Sequence, residues 1–481
     1  MENNEKETII IFGAGPGGLA AAIELVKKGR RVVILEKENQ VGGIAKTVNY
    51  KGYHFDIGGH RFFTKEKEVS NLWQETLGKD FLTRPRLSRI YYRNKFYFYP
   101  LKPANALKNL GFVQAMGILM SYFFTRAKYY LGPKKPAENF EEWVTEKFGK
   151  KLFNTFFKTY TEKVWGIPTK EIGAEWAAQR IKSLSLTKAV INAFFPKSKK
   201  TKVTSLIDQF QYPRLGPGMM YERLADAIKD RGGEIVLSAD VVEIKRNNGH
   251  VSKVVYRDQS GNKKEISGSH YISTIPLPEL VRKMEPPVSD ALKESLNFLQ
   301  FRAFIAVCLI VDRADLFPDN WIYIHSPEVE VGRIQNFKNW NPDMVPDQSK
   351  TALGMEYFCF ENDKLWNISD KDLISLSSRE LETIGLGKSS EVIDGFVIRQ
   401  KDTYPIYKIG YKEHLEKIYE YIKTFDNLQA IGRGGTFRYN NMDHSILSGL
   451  YAARNIMGEH HDVFSINIDE AYQEIKKYED K

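Results

Sequence analysis

Gly13, Gly15 and Gly18 stand between a β-branched run, Ile9 to Ile11, and an apolar-periodic stretch carrying Leu19, Ala22, Ile23 and Val26. That spacing suits a phosphate-binding turn through Pro16 and Gly17. One glycine makes the bend, one lets the main chain approach a pyrophosphate, and one lets helix pack on strand, with the helix N-terminus facing the anion. A second apolar strand, Val32 to Leu35, ends on Glu36, eighteen residues after Gly18 and followed by Lys37. A carboxylate there can bind a ribose hydroxyl. Strand, turn, helix, strand and acid in that order are far more specific than the glycines alone, although the unit does not separate NAD from FAD.

Such a unit needs a sheet to carry it, and 481 residues are enough for two domains. After a β-rich extension with a hairpin turn at Arg93-Asn94, the text becomes helical from Leu101 to about Leu186. A glycine turn, helix and strand pair return between Tyr212 and Ile244, and a strand, glycine turn and helix between Ala430 and Gly458. The fold class read from this is α/β: a Rossmann-type dinucleotide domain in three segments (1–95, 205–290 and 415–481), an inserted helical domain (96–204) and a strand-rich substrate domain (291–414).

The net charge of +10 favours an anionic ligand, and no basic stripe with interleaved aromatics points to nucleic acid. Pro196 to Lys202 reads as an exposed basic loop, with contact to anionic lipid as the minority alternative. Cys308 and Cys359 sit in apolar strand text and read as buried thiols, not as a bridge or metal site. The N-terminus lacks the features of a signal peptide, so a cytoplasmic protein is expected. The run Phe112 to Thr125 is too short to span a bilayer and reads as a core helix, with a membrane-facing helix as the minority alternative.

Gly42-Gly43 and the stretch YHFDIGGHRFF, Tyr53 to Phe63, resemble the flavoprotein group of amine oxidases, protoporphyrinogen oxidases, phytoene desaturases and UDP-galactopyranose mutases. The resemblance implies non-covalent FAD, lined by Gly43, Gly58, Gly59 and His60, with Val241 at the adenine end and the turn Gly432-Arg433 beside the ring. Met442, Asp443 and Ser445 lie at the head of the helix that follows this turn and complete the expected FAD contacts.

Several stretches are most similar to the mutases: YTEKVWGIPTKEIGAEWAAQR (Tyr160 to Arg180), NWIYIHSPEVEVGRIQNFKNWNP (Asn320 to Pro342), TYP (Thr403 to Pro405) and GRGGTFRYNNMDHS (Gly432 to Ser445). In that family reduced flavin is the nucleophile on the anomeric carbon of a nucleotide-diphosphate sugar. The diphosphate leaves and returns without net redox change, and the product feeds surface polysaccharide. An external reductant such as NAD(P)H would keep the flavin reduced.

The resemblance implies Arg180 and Arg333 on the diphosphate, Tyr404 and Tyr439 hydrogen-bonded to it, and Arg433 and His60 at the flavin. Trp321 and Tyr323 would lie near the base, and Tyr160 and Trp165 on the sugar side. Each has a plainer reading: Arg333 as a strand ion pair, Tyr160 and Trp165 as helix core, His60 as a satisfied core histidine. Trp340 stands where the mutases usually carry a tyrosine and is expected on the substrate with an indole N–H in place of a phosphate-directed hydroxyl, and Leu101-Lys102 replace an aromatic and a glutamine. These departures fall on the side of the site that meets the base and sugar. The rival reading is an FAD oxidoreductase of the amine oxidase or protoporphyrinogen oxidase type. Oligomeric state is left open.

Overall fold

Ile9–Phe12 is buried along its whole length, as the centre of a parallel sheet requires. It pairs with Val32–Leu35 on one side and His270–Ser273 on the other; Glu234–Val236 and Leu428–Ala430 complete a five-stranded parallel sheet. Strands from all three expected segments thus share one sheet. The structure, a computed structural model, describes residues 8–132, 135–181 and 208–467, apart from the side chains of residues 103 and 178–181. The basic loop Pro196 to Lys202 lies outside the described residues.

Between Pro16–Lys27 and the first strand, Gly13 takes φ +95°, which an L side chain rarely adopts. A Cβ on Gly18 would lie 2.0 Å from the Gly13 carbonyl oxygen, so this position fixes how closely the helix approaches the turn.

The helical region comprises Pro103–Leu110, Phe112–Leu131, Phe140–Phe148, Lys158–Trp165 and Ala174–Ile181. Asn139 starts the third by accepting from the Glu142 N–H at 2.9 Å, and Gly149 at φ +83° ends it. A π-helical turn, Phe153–Phe157, then re-aims the chain into Lys158–Trp165. The expectation of a core helix at Phe112 to Thr125 is corrected here. Ala115, Ile118 and Tyr122 face inward, whereas Phe112, Val113, Met120, Phe123 and Phe124 are exposed. Apolar content specifies burial only when a neighbouring element supplies a surface, and among the described residues this face has none.

The strand-rich region forms a seven-stranded sheet in the order Val392–Pro405, Phe301–Val311, Thr351–Cys359, Arg333–Asn336, Trp321–Ile324, Ser88–Tyr92 and Lys95–Phe98. The hairpin Ser88–Phe98, grouped by sequence largely with the first segment, therefore pairs into this sheet. Its turn has Arg93 at φ 50° and Asn94 at φ 58°, the geometry of a two-residue hairpin loop. Both cysteines are buried and free. Among the described residues no helix is long and apolar enough to cross a membrane.

Candidate active site

A cavity of about 1720 Å³ runs from the glycine turn to the face of the seven-stranded sheet. It exceeds what one drug-sized ligand occupies, leaving room for a dinucleotide and a substrate together.

At the first end the walls are main chain. Gly13, Gly15, Pro16, Gly17 and Gly43 line the cavity, and no side chain caps the helix that starts at Pro16, so its first N–H groups face the space. Glu36 closes this end. Burial raises its pKa, against which the Glu38 and Ala14 amides donate to its carboxylate at 2.9 and 2.6 Å. Lys37 and Val241 line the same end; the Ala239 amide donates to the Glu36 carbonyl at 2.8 Å, which clips the Val241 strand to the acid. A cradle without side chains beside a helix start and an acid fits the pyrophosphate and ribose of FAD.

At the other end the walls are side chains from distant strands. Arg333 and Glu356 are direct partners in an antiparallel pair, and Arg333 Nε donates to Glu356 Oε2 at 2.5 Å. Burial opposes the charge on Arg333, but Glu356 and the phenols of Tyr404 and Tyr160 hold its pKa well above the usual arginine value. Gln335 donates to the other Glu356 oxygen at 2.6 Å. Arg433 differs: its Nε and Nη1 bond the carbonyls of Asn440 and Thr403 at 2.8 and 3.3 Å, which orient the guanidinium without cancelling its charge. It lies 4.6 Å from the Tyr439 ring centre and 5.6 Å from that of Tyr404, and those two rings stack at 5.6 Å.

His60 lies within range of the charges of both arginines. Enclosure at the cavity wall and the charges of Arg433 and Arg333 lower its pKa to about 3, so it is a neutral imidazole with an unpartnered Nδ1. Gly58 takes φ +91° beside Arg333, and a Cβ on Gly59 would sit 2.9 Å from Gln335 Nε2, so the main chain passes here at close range. Asp56, the acid of the same motif, turns away. It accepts from Thr47 Oγ1 at 2.8 Å and from the Tyr212 hydroxyl, and burial raises its pKa to about 7.

Tyr160, Trp165, Tyr323, Tyr404 and Tyr439 line this end, and Gly432, Met442 and Ser445 line the cavity beside Arg433. Tyr160 stacks on His325 at 4.4 Å, and burial raises its pKa well above the ordinary phenol value. Three expectations need correcting. Trp340 does not line the cavity; it is 1% exposed, packs against Tyr212 and Trp321, and spends its indole N–H on the Asn320 carbonyl at 2.9 Å. Trp321 is also buried behind the lining, beside Phe210 and the Arg86 guanidinium. Asp443 is buried towards Thr64 and His444 and does not line the cavity; burial raises its pKa to about 7. Gly18 also lies off the lining, where it sets helix-to-turn packing. Arg180 falls in Ala174–Ile181, but its side chain lies outside the described residues, so its distance from Arg333 is not defined.

Glu356 is the residue that sequence reading missed. Its signal was present: one acid in the otherwise apolar strand TALGMEYFC must have a buried cation partner. Tyr407, whose hydroxyl accepts from the Tyr439 amide at 2.6 Å, and His325 were also missed.

A family model described as flavin containing amine oxidoreductase matches residues 16–457. Among solved structures, a reduced UDP-galactopyranose mutase aligns with a TM-score of 0.83 at 21% identity, covering 97% of this chain and 98% of that one. A putrescine oxidase with bound putrescine aligns at 0.62 and 17% identity, covering 94% and 99%. These are likenesses of fold. L-amino acid oxidase bordonein-L of Crotalus durissus terrificus is 23% identical over 327 residues, 65% of this chain and 59% of its own length. A phytoene desaturase of Cereibacter sphaeroides is 35% identical over 78 residues, 16% of this chain and 15% of its own. The chain thus matches less than two thirds of the length of either curated relative.

Proposed function

The chain belongs to the family of flavin containing amine oxidoreductases and is an FAD-dependent enzyme; from that premise we propose that it interconverts pyranose and furanose forms of a nucleotide-diphosphate sugar. The observation that carries this reading is the convergence of two guanidinium groups, Arg333 and Arg433, on one histidine and one tyrosine, His60 and Tyr404. A site that sets the Arg433 cation beside the Arg333–Glu356 pair keeps a net positive charge, which suits an anionic diphosphate better than an amine or a hydrocarbon. FAD, when bound and reduced, would supply the nucleophile for the anomeric carbon.

In this reading Arg433, its charge uncancelled, holds the diphosphate while it is detached, and Arg333 adds a fork aimed by Glu356. Arg180 is assigned to the same group by its sequence match. Tyr404 stays protonated, because burial raises its pKa, and donates to a phosphate oxygen together with Tyr439. Tyr160 and Trp165 wall the sugar from water, Tyr323 flanks the nucleotide side, and neutral His60 accepts or donates one hydrogen bond at the flavin edge.

The test is turnover of UDP- or TDP-furanose by dithionite-reduced protein, followed by chromatography of the sugar nucleotides. Pyranose should accumulate without stoichiometric use of reductant. One observation favours the oxidoreductase alternative: Glu356 already neutralises Arg333, and Phe140, Phe156 and Phe157 add apolar wall. Turnover that requires an electron acceptor, with indifference to nucleotide-diphosphate sugars, would establish that alternative instead.

A further inference from the structure

The helix Phe112–Leu131 holds its surroundings with Ala115, Ile118 and Tyr122, and the Lys151 amide donates to Ser121 Oγ at 3.2 Å. Its opposite side is apolar and, among the described residues, uncovered. Val113, Met116, Met120, Phe123 and Phe124 recur at helical spacing along one stripe, with Phe112, Tyr130 and Leu131 at its ends; Val113 is 85% exposed and Phe124 74%. A soluble chain rarely leaves so continuous a stripe in water, so the stripe marks something that covers it.

From this geometry we propose that the outer face of Phe112–Leu131 docks on an anionic phospholipid surface, with the helix lying in the plane of the headgroups. Charge selects the occupant. From Leu101 to Ala137 the sequence holds six Lys or Arg and no Asp or Glu. Lys128 is exposed on the same helix, Lys102 and Lys108 are exposed just before it, and Arg126 lies over the rings of Tyr129 and Tyr130 at 5.7 and 5.2 Å. A second copy packed stripe to stripe would bring like charges together, whereas an anionic bilayer meets both the apolar side chains and the basic rim. The acid nearest in sequence, Glu138, pairs with Lys135 at 2.8 Å, and Glu141, Glu142 and Glu146 belong to the neighbouring helix Phe140–Phe148. The helix cannot cross the bilayer, because Arg126 and Lys128 interrupt its apolar length. Tyr99, Pro100 and Leu101, which line the cavity, directly precede the helix pair, so the docked surface neighbours one cavity wall.

Flotation of the flavin-loaded full chain with vesicles tests this. With equal parts phosphatidylcholine and phosphatidylglycerol the protein should float. Pure phosphatidylcholine or raised salt should lower the bound fraction, since the ionic contribution is screened. Phe123→Ser with Phe124→Ser should lower partitioning by about tenfold or more, with flavin content and thermal midpoint unchanged because both side chains are exposed. Lys128→Glu should weaken binding to the anionic vesicles alone. The proposal is overturned by failure to float on anionic vesicles, by equal flotation of the double serine variant, or by a dimer without vesicle binding that this variant dissociates.

Discussion

At the glycine end of the cavity the ligand would meet main chain, whereas at the sheet end it meets ionisable side chains gathered from distant stretches, among them His60, Tyr160, Arg333, Tyr404 and Arg433. The first end is specified by what is missing: a Cβ on Gly18 would strike the Gly13 carbonyl, and the first helical N–H groups are left uncapped. The second is specified by compensation. Arg333 is tolerated in a buried position because Glu356 faces it across a strand pair, and Arg433 because two carbonyls hold it. Main-chain recognition is rigid and indifferent to chemistry beyond an anion; the side-chain end carries selectivity and is the more easily retuned.

The largest effect is expected at the compensated end. Arg333→Ala should lower kcat/KM by about 2–5 kcal/mol while flavin absorbance at saturation stays unchanged, because the fork is lost and Glu356 is left unpaired. Unchanged kinetics would remove Arg333 from the diphosphate and with it the contrast between the two ends of the cavity. Gly18→Ala should act the opposite way. It should destabilise by about 1–3 kcal/mol and release flavin, since the contact is main chain on main chain and cannot repack. Retention of full flavin content would show that the turn is softer than its geometry implies.

Asp56 tests whether the bend between the two ends is held by a neutral acid. Its pKa is raised from 3.8 unfolded to about 7 folded, so the native state binds the extra proton between those values. Unfolding free energy should therefore fall as pH rises from about 4 to about 7, by at most about 1.4 kcal/mol per pH unit, and level off above. Asp443 contributes with the same sign. Thermal midpoints of Asp56→Asn should lose part of that slope; an identical slope would mean that Asp56 is ionised throughout. The smallest effect is expected at Trp340→Phe: about 1 kcal/mol from the lost bond to Asn320, with KM unchanged. A raised KM would return Trp340 to the substrate.

How much was legible follows the same division. The glycine turn, Glu36 and the hairpin at Arg93-Asn94 were readable because each is a property of a few consecutive residues. The resemblance supplied Arg333, Tyr404, Tyr439 and Arg433 as a set. The convergence of Arg333 and Arg433 on His60 was not readable, because it joins distant elements, nor was the pairing of Arg333 with Glu356, which register across the strands Arg333–Asn336 and Thr351–Cys359 sets. Trp340 was misplaced for a related reason: an indole near the site in sequence is drawn into the core when a carbonyl there satisfies its N–H.

By itself, then, the sequence determined a dinucleotide cradle, because phosphate binding by a helix start depends on local geometry that glycines alone permit. Tertiary structure decided which charges cancel, which aromatics face the cavity, and that Phe112–Leu131 turns apolar side chains outward. Burial and pairing are properties of two surfaces in contact, and one stretch of chain encodes only its own half of each contact.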